Sequence, residues 1–108
     1  MLKCYIDSCG GRRAGLPPAL KVLSSFLEED VQGSANGCDL FLQEISDVEQ
    51  GKREAFHSTG NAHDVLIEVS SITIEPLWDT SLPPLHLHPS QYREALLEWR
   101  AFITTIPA

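Results

Sequence analysis

Basic residues are scarce in this chain: eight Lys and Arg stand against fifteen Asp and Glu, a formal charge of −7 over 108 residues. That balance argues against binding nucleic acid through a phosphate-neutralising patch, which needs clustered Lys and Arg, and equally against anionic membrane surfaces. No apolar run approaches the ~20 residues that a membrane helix needs. Met1–Asp7 carries an acid at its seventh position and no long apolar region, which argues against a secretory signal and makes the cytoplasm the expected location. Cysteines number only three, Cys4, Cys9 and Cys38, without metal-type spacing. In a reducing compartment they read as free thiols, with Cys4 buried on a strand.

What remains is ordinary for a folded soluble chain, 43% hydrophobic and 21% charged, and long enough for one domain spanning residues 1–108. Its organising stretch is Gly51–Glu75, which reads as a three-strand antiparallel meander. Strand-like runs at Arg53–His57 and His63–Val69 flank Ser58–Ala62, where Gly60-Asn61 is the pair expected at positive φ in a hairpin turn. Val65, Ile67 and Val69 alternate with Asp64 and Glu68. Ile72 and Ile74 then alternate with Thr73 and Glu75, leaving one apolar face to be covered.

Leu2, Cys4 and Ile6 alternate with Lys3, Tyr5 and Asp7 as a further strand, and Ser8–Gly15 reads as a loop. Pro17-Pro18 opens a helix carrying Leu20, Leu23, Leu27 and Val31 on one face with Phe26, fading near Glu29 or Asp30. Gln32–Gly37 has linker composition. A second helix is expected at Cys38–Gln50, with Phe41, Leu42, Ile45 and Val48 inward and Gly51 at its C-cap. Leu40 stands at the edge of its polar face, a mark of contact. Pro76–Pro84 reads as an irregular connection, Leu85–His88 as a short edge strand, and Pro89–Ile106 as a helix closed by Pro107. Its stripe is Tyr92, Leu96, Trp99, Ile103 and Ile106, with Ala95 and Phe102 alongside. The expected class is α+β: a small antiparallel sheet, the meander plus the N-terminal strand, packed against two or three helices.

Between Lys21 and Lys52 lie seven acidic residues, Glu28, Glu29, Asp30, Asp39, Glu44, Asp47 and Glu49, and no basic one. A solvated face that keeps a small protein soluble is one reading. The other is a docking surface for a positively charged protein, in which clustered charge accelerates encounter. On that second reading the contact residues are Glu28, Glu29, Asp30, Asp39, Gln43, Glu44 and Asp47, with Trp78 and Asp79 as a second patch.

Catalytic patterns are weak. His86-x-His88 puts two imidazoles on one side of a strand, but spacing supplies no further zinc ligand, and His88 also suits a helix N-cap. His57 and His63 flank the turn in position to face each other, yet local sequence places neither nucleophile nor orienting carboxylate beside them. Ser58, Ser70 and Ser71 lie in no nucleophile elbow, and Cys9–Arg13 is no phosphate-binding fingerprint. The expectation is no catalytic residues, no metal, no cofactor and no small-molecule substrate.

An acidic helix ending in Asp47-Val48-Glu49-Gln50-Gly51 is followed by a strand, Ser58-Thr59-Gly60-Asn61-Ala62-His63, two more strands, and a helix with Leu96-Leu97-Glu98-Trp99-Arg100-Ala101-Phe102-Ile103. This order resembles the immunity proteins of bacterial contact-dependent growth inhibition, together with similar YacL-type proteins, over roughly Leu20 to Ile103. Gly60-Asn61 and the Leu96, Trp99, Phe102 helix are its most specific pieces; the Gly10–Arg13 region and the Pro17-Pro18 entry lie outside the pattern. The resemblance implies a non-enzymatic protein that forms a heterodimer with the C-terminal toxin domain of a delivered effector. Such toxins are often nucleases, commonly acting on transfer RNA, whose basic clefts suit an acidic inhibitor. The alternative is a YacL-like regulatory protein with no toxin partner.

Overall fold

The meander is present and gains a fourth strand. In the computed structural model, which describes residues 2–79 and 81–105, β3 (Phe56–Thr59), β4 (His63–Ile67), β5 (Ile72–Pro76) and β6 (Leu85–Leu87) form one antiparallel sheet in that order. Register fixes the faces. Phe56, Ile67, Ile72 and Leu87 lie in one row across the sheet and Ser58, Val65, Ile74 and Leu85 in the next. The intervening row, His57, Leu66, Thr73 and His86, points the other way.

The helices cover the first face. A 3₁₀ turn (Pro18–Leu20) leads into α1 (Lys21–Phe26), which continues as a π-helical turn (Leu27–Val31); α2 (Ala35–Glu49) and α3 (Pro89–Thr105) complete the layer. Val22, Leu23, Phe26, Leu27 and Val31 join Ile45, Val48, Tyr92, Leu96 and Trp99 with the sheet's Val65, Ile67, Ile72 and Ile74 in one buried cluster. The class is α+β, as the sequence periodicity implies.

Several boundaries differ, each for a local reason. The N-terminal strand does not join the meander. β1 (Lys3–Ile6) pairs instead with β2 (Arg12–Gly15), inside the stretch that composition marks as loop, to form a separate two-stranded sheet. The turn between them is built by Asp7, whose Oδ1 accepts from the N–H groups of Cys9 (3.0 Å) and Gly11 (2.7 Å), with Gly10 at φ +83°. Ile6 is consequently exposed and Cys4 only half-buried. α2 starts three residues before Cys38, because Ser34 caps it by accepting from the Gly37 N–H at 2.9 Å. β3 starts at Phe56 rather than Arg53, and β4 stops at Ile67, so Val69 is exposed in the following turn.

α3 matches its sequence stripe: Tyr92, Ala95, Leu96, Trp99 and Ile103 are buried along it. Its start is a reciprocal cap. His88 Nδ1 accepts from the Ser90 N–H, and Gln91 Oε1 accepts from the His88 N–H at 2.9 Å. Ile106 and Pro107, assigned from sequence to the end of this helix, lie outside the described residues.

Candidate functional site

The π turn determines what happens at the hairpin tip. Leu27 and Val31 are both buried, and between them the Asp30 carboxylate projects onto the β3–β4 turn. Asp30 Oδ1 accepts from the Ala62 N–H at 2.8 Å, and Oδ2 stands 3.0 Å from His63 Nδ1. Both side chains are only 3% exposed. The carboxylate leaves no room at Gly60, where an added Cβ would come within 3.0 Å of Asp30 Cγ. Gly60 therefore serves close approach; its φ is not positive, contrary to the expectation for Gly60-Asn61. The turn closes through Gly60 N–H donating to the His63 carbonyl at 2.9 Å.

Two more contacts fix the same tip. Leu77 N–H donates to the Ala62 carbonyl at 2.9 Å, and Trp78 Nε1–H donates to the Asn61 carbonyl at 3.0 Å. Trp78 is 80% exposed, yet its indole is held in place. Beside it opens a groove of about 350 Å³ lined by Lys21, Ser25, Glu29, His63, Trp78 and Asp79, among others. Asp79 caps its own turn, accepting from the Ser81 hydroxyl and N–H, and these bonds with nearby Lys21 hold its carboxyl below the usual range.

The acidic stretch is treated differently. Glu28 accepts from the Ala14 N–H at 2.7 Å and lies 3.5 Å from Arg13, tying the π turn to β2. Asp39 forms a forked pair with Arg100 at 2.7 and 3.1 Å, which holds its carboxyl low. Asp47 accepts from Gln43 Nε2 at 2.9 Å and lies 3.9 Å from Lys52, and Glu49 pairs with Arg93. Every one of these cations comes from outside the acidic run. The run is thus no uniformly free negative face, and Asp30 in particular is buried away from any partner. Of the expected contact residues, Glu29, Trp78 and Asp79 are brought together at the groove. Leu40 is exposed on α2, next to the Asp39–Arg100 pair.

Glu44 points inward. Among the described residues its Oε1 and the Tyr92 hydroxyl are buried without hydrogen-bond partners, and burial pushes the Glu44 carboxyl up to about 7, against a weaker opposing pull from Arg53. Tyr92 ionisation is suppressed by burial first and by nearby Glu44 second.

The histidines separate. His57 lies on the open sheet face, with Nε2 3.7 Å from Asp64, whereas His63 lies on the covered face, so they do not meet across the turn. The reason is parity: His57 and His63 are not register partners, and the turn places them on opposite faces. The orienting carboxylate for His63 that local sequence does not supply is Asp30, 33 residues away. His86 Nδ1 lies 3.1 Å from Thr73 Oγ1 and His88 caps α3, so each imidazole has its own use. Among the described residues no group of three His, Cys, Asp or Glu is disposed to hold a metal ion, and no helix is long and apolar enough to cross a membrane. No family model matches the chain, and neither a curated protein nor a solved structure matches it.

Proposed function

We propose that this chain is a non-catalytic binding module, an immunity-type protein that neutralises a basic toxin domain by covering it. The observation that carries the reading is Trp78: a large aromatic left 80% exposed but fixed by its bond to the Asn61 carbonyl, with Glu29 and Asp79 beside it. Rigid exposed aromatics flanked by charge are the residues on which protein interfaces concentrate their energy, because they lose little conformational freedom on docking. The accessible surface is 6342 Å². A standard interface covers ~800 Å² of each partner, so one dedicated partner is the natural stoichiometry. Negative rim charges steer approach to a positive surface, and occlusion of a phosphate-binding cleft needs no reaction.

The test is co-purification with the C-terminal domain of a contact-dependent effector encoded beside it, followed by a nuclease assay. A one-to-one complex that silences the toxin is expected, and Trp78→Ala should weaken it by about 2 kcal/mol or more, roughly thirtyfold, with folding unchanged. A neighbourhood without an effector gene, and no complex, would favour the YacL-like regulatory alternative.

A further inference from the structure

We infer that the groove beside Trp78 is built to receive the guanidinium of an arginine side chain. That a protein presents this arginine rests on the binding-module reading; the chemistry of the groove does not. At about 350 Å³ the groove is at the small end of the ~300–1,000 Å³ typical of ligand sites, suited to one side chain rather than a nucleotide.

His63 is 2% exposed, lines the groove, and commits Nδ1 to Asp30 Oδ2 at 3.0 Å. Glu29 and Asp79 place carboxylates at the rim. The groove's own cation is Lys21, which lies near Asp79. Two carboxylates against one ammonium leave a demand for positive charge and N–H donors.

Arginine meets it better than the alternatives. A phosphate would be repelled by the carboxylates, and a lysine brings a single point charge. A guanidinium carries forked N–H donors that match a carboxylate, and its plane can stack on the indole of Trp78.

The experiment is an NMR titration of the isolated protein with N-acetyl-L-arginine methylamide, and in parallel with its citrulline counterpart, which keeps the shape and loses the charge. Saturable shifts at the Trp78 indole N–H, Ala62 and the His63 ring are expected with arginine and at least tenfold weaker binding with citrulline. Glu29→Gln and Asp79→Asn, both at exposed carboxylates, should each weaken arginine binding severalfold, and Lys21→Gln should strengthen it. Equal responses to the two probes, shifts confined to other surfaces, or no saturable response overturn the inference. Arginine binding with no protein partner found would leave this site standing and remove the immunity reading. A protein partner that binds while arginine does not would do the reverse.

Discussion

Replacing Asp30 by Ala should be among the most damaging single changes available to this protein. Its carboxylate accepts from Ala62 N–H at 2.8 Å and lies 3.0 Å from His63 Nδ1, with both side chains 3% exposed. Removal strands the Ala62 N–H and the His63 ring nitrogen at once. Each stranded group costs ~1–3 kcal/mol, and breaking one member of a buried pair typically costs ~3–5 kcal/mol in total. Against a whole stability of ~5–15 kcal/mol that is a large share. At an unfolding entropy of ~2.1 cal/mol/K per residue, even 3 kcal/mol lowers Tm by ~13 °C. Urea denaturation of the wild type, Asp30→Ala, His63→Ala and the double variant gives the coupling directly. The two losses should be non-additive by ~1–3 kcal/mol, with m unchanged. Amide exchange at Ala62 and Leu77 should accelerate in Asp30→Ala before global unfolding does. A loss below ~1 kcal/mol, or simple additivity of the two substitutions, would refute the clamp between the π turn and the hairpin tip.

Gly60→Ala tests the same packing from the other side. A methyl 3.0 Å from Asp30 Cγ forces a shift, at ~1–3 kcal/mol, and a neutral result would mean that the carboxylate can move aside. Glu44 gives a pH dependence of defined sign. Its carboxyl is raised from 4.5 to about 7 in the fold, so the native state holds the extra proton. Its contribution is therefore fully present below about pH 4.5 and is lost as pH rises towards 7. Because the side chain is only half-buried, solvent screening reduces the effect to ~1 kcal/mol. Glu44→Gln should flatten that decline in denaturation series across the interval, and an unchanged slope would place the titration elsewhere. Trp99→Ala, which empties the largest core position and removes the 2.7 Å bond from Nε1–H to the Gln32 carbonyl, should cost ~3–5 kcal/mol by the same assay.

Local pattern alone determined the parts of this protein whose cause is local. The 3.6-residue stripe of Tyr92, Leu96, Trp99 and Ile103 specifies α3, and the two-residue alternation of Val65, Ile67, Ile72 and Ile74 specifies the covered sheet face. His88 before Pro89 reads correctly as a cap. Sequence marks Trp78 and Asp79 as one patch and Glu29 as part of a separate acidic run, and only the fold brings the three to one groove. Tertiary structure decided the rest, because charge and close approach act through space. Arg13, Arg93 and Arg100 reach Glu28, Glu49 and Asp39 from distant segments and break up an acidic run that looks continuous along the chain. Asp30 becomes a buried clamp for His63 only once the π turn lies against the hairpin tip, and that same contact, rather than backbone freedom, explains the glycine at 60.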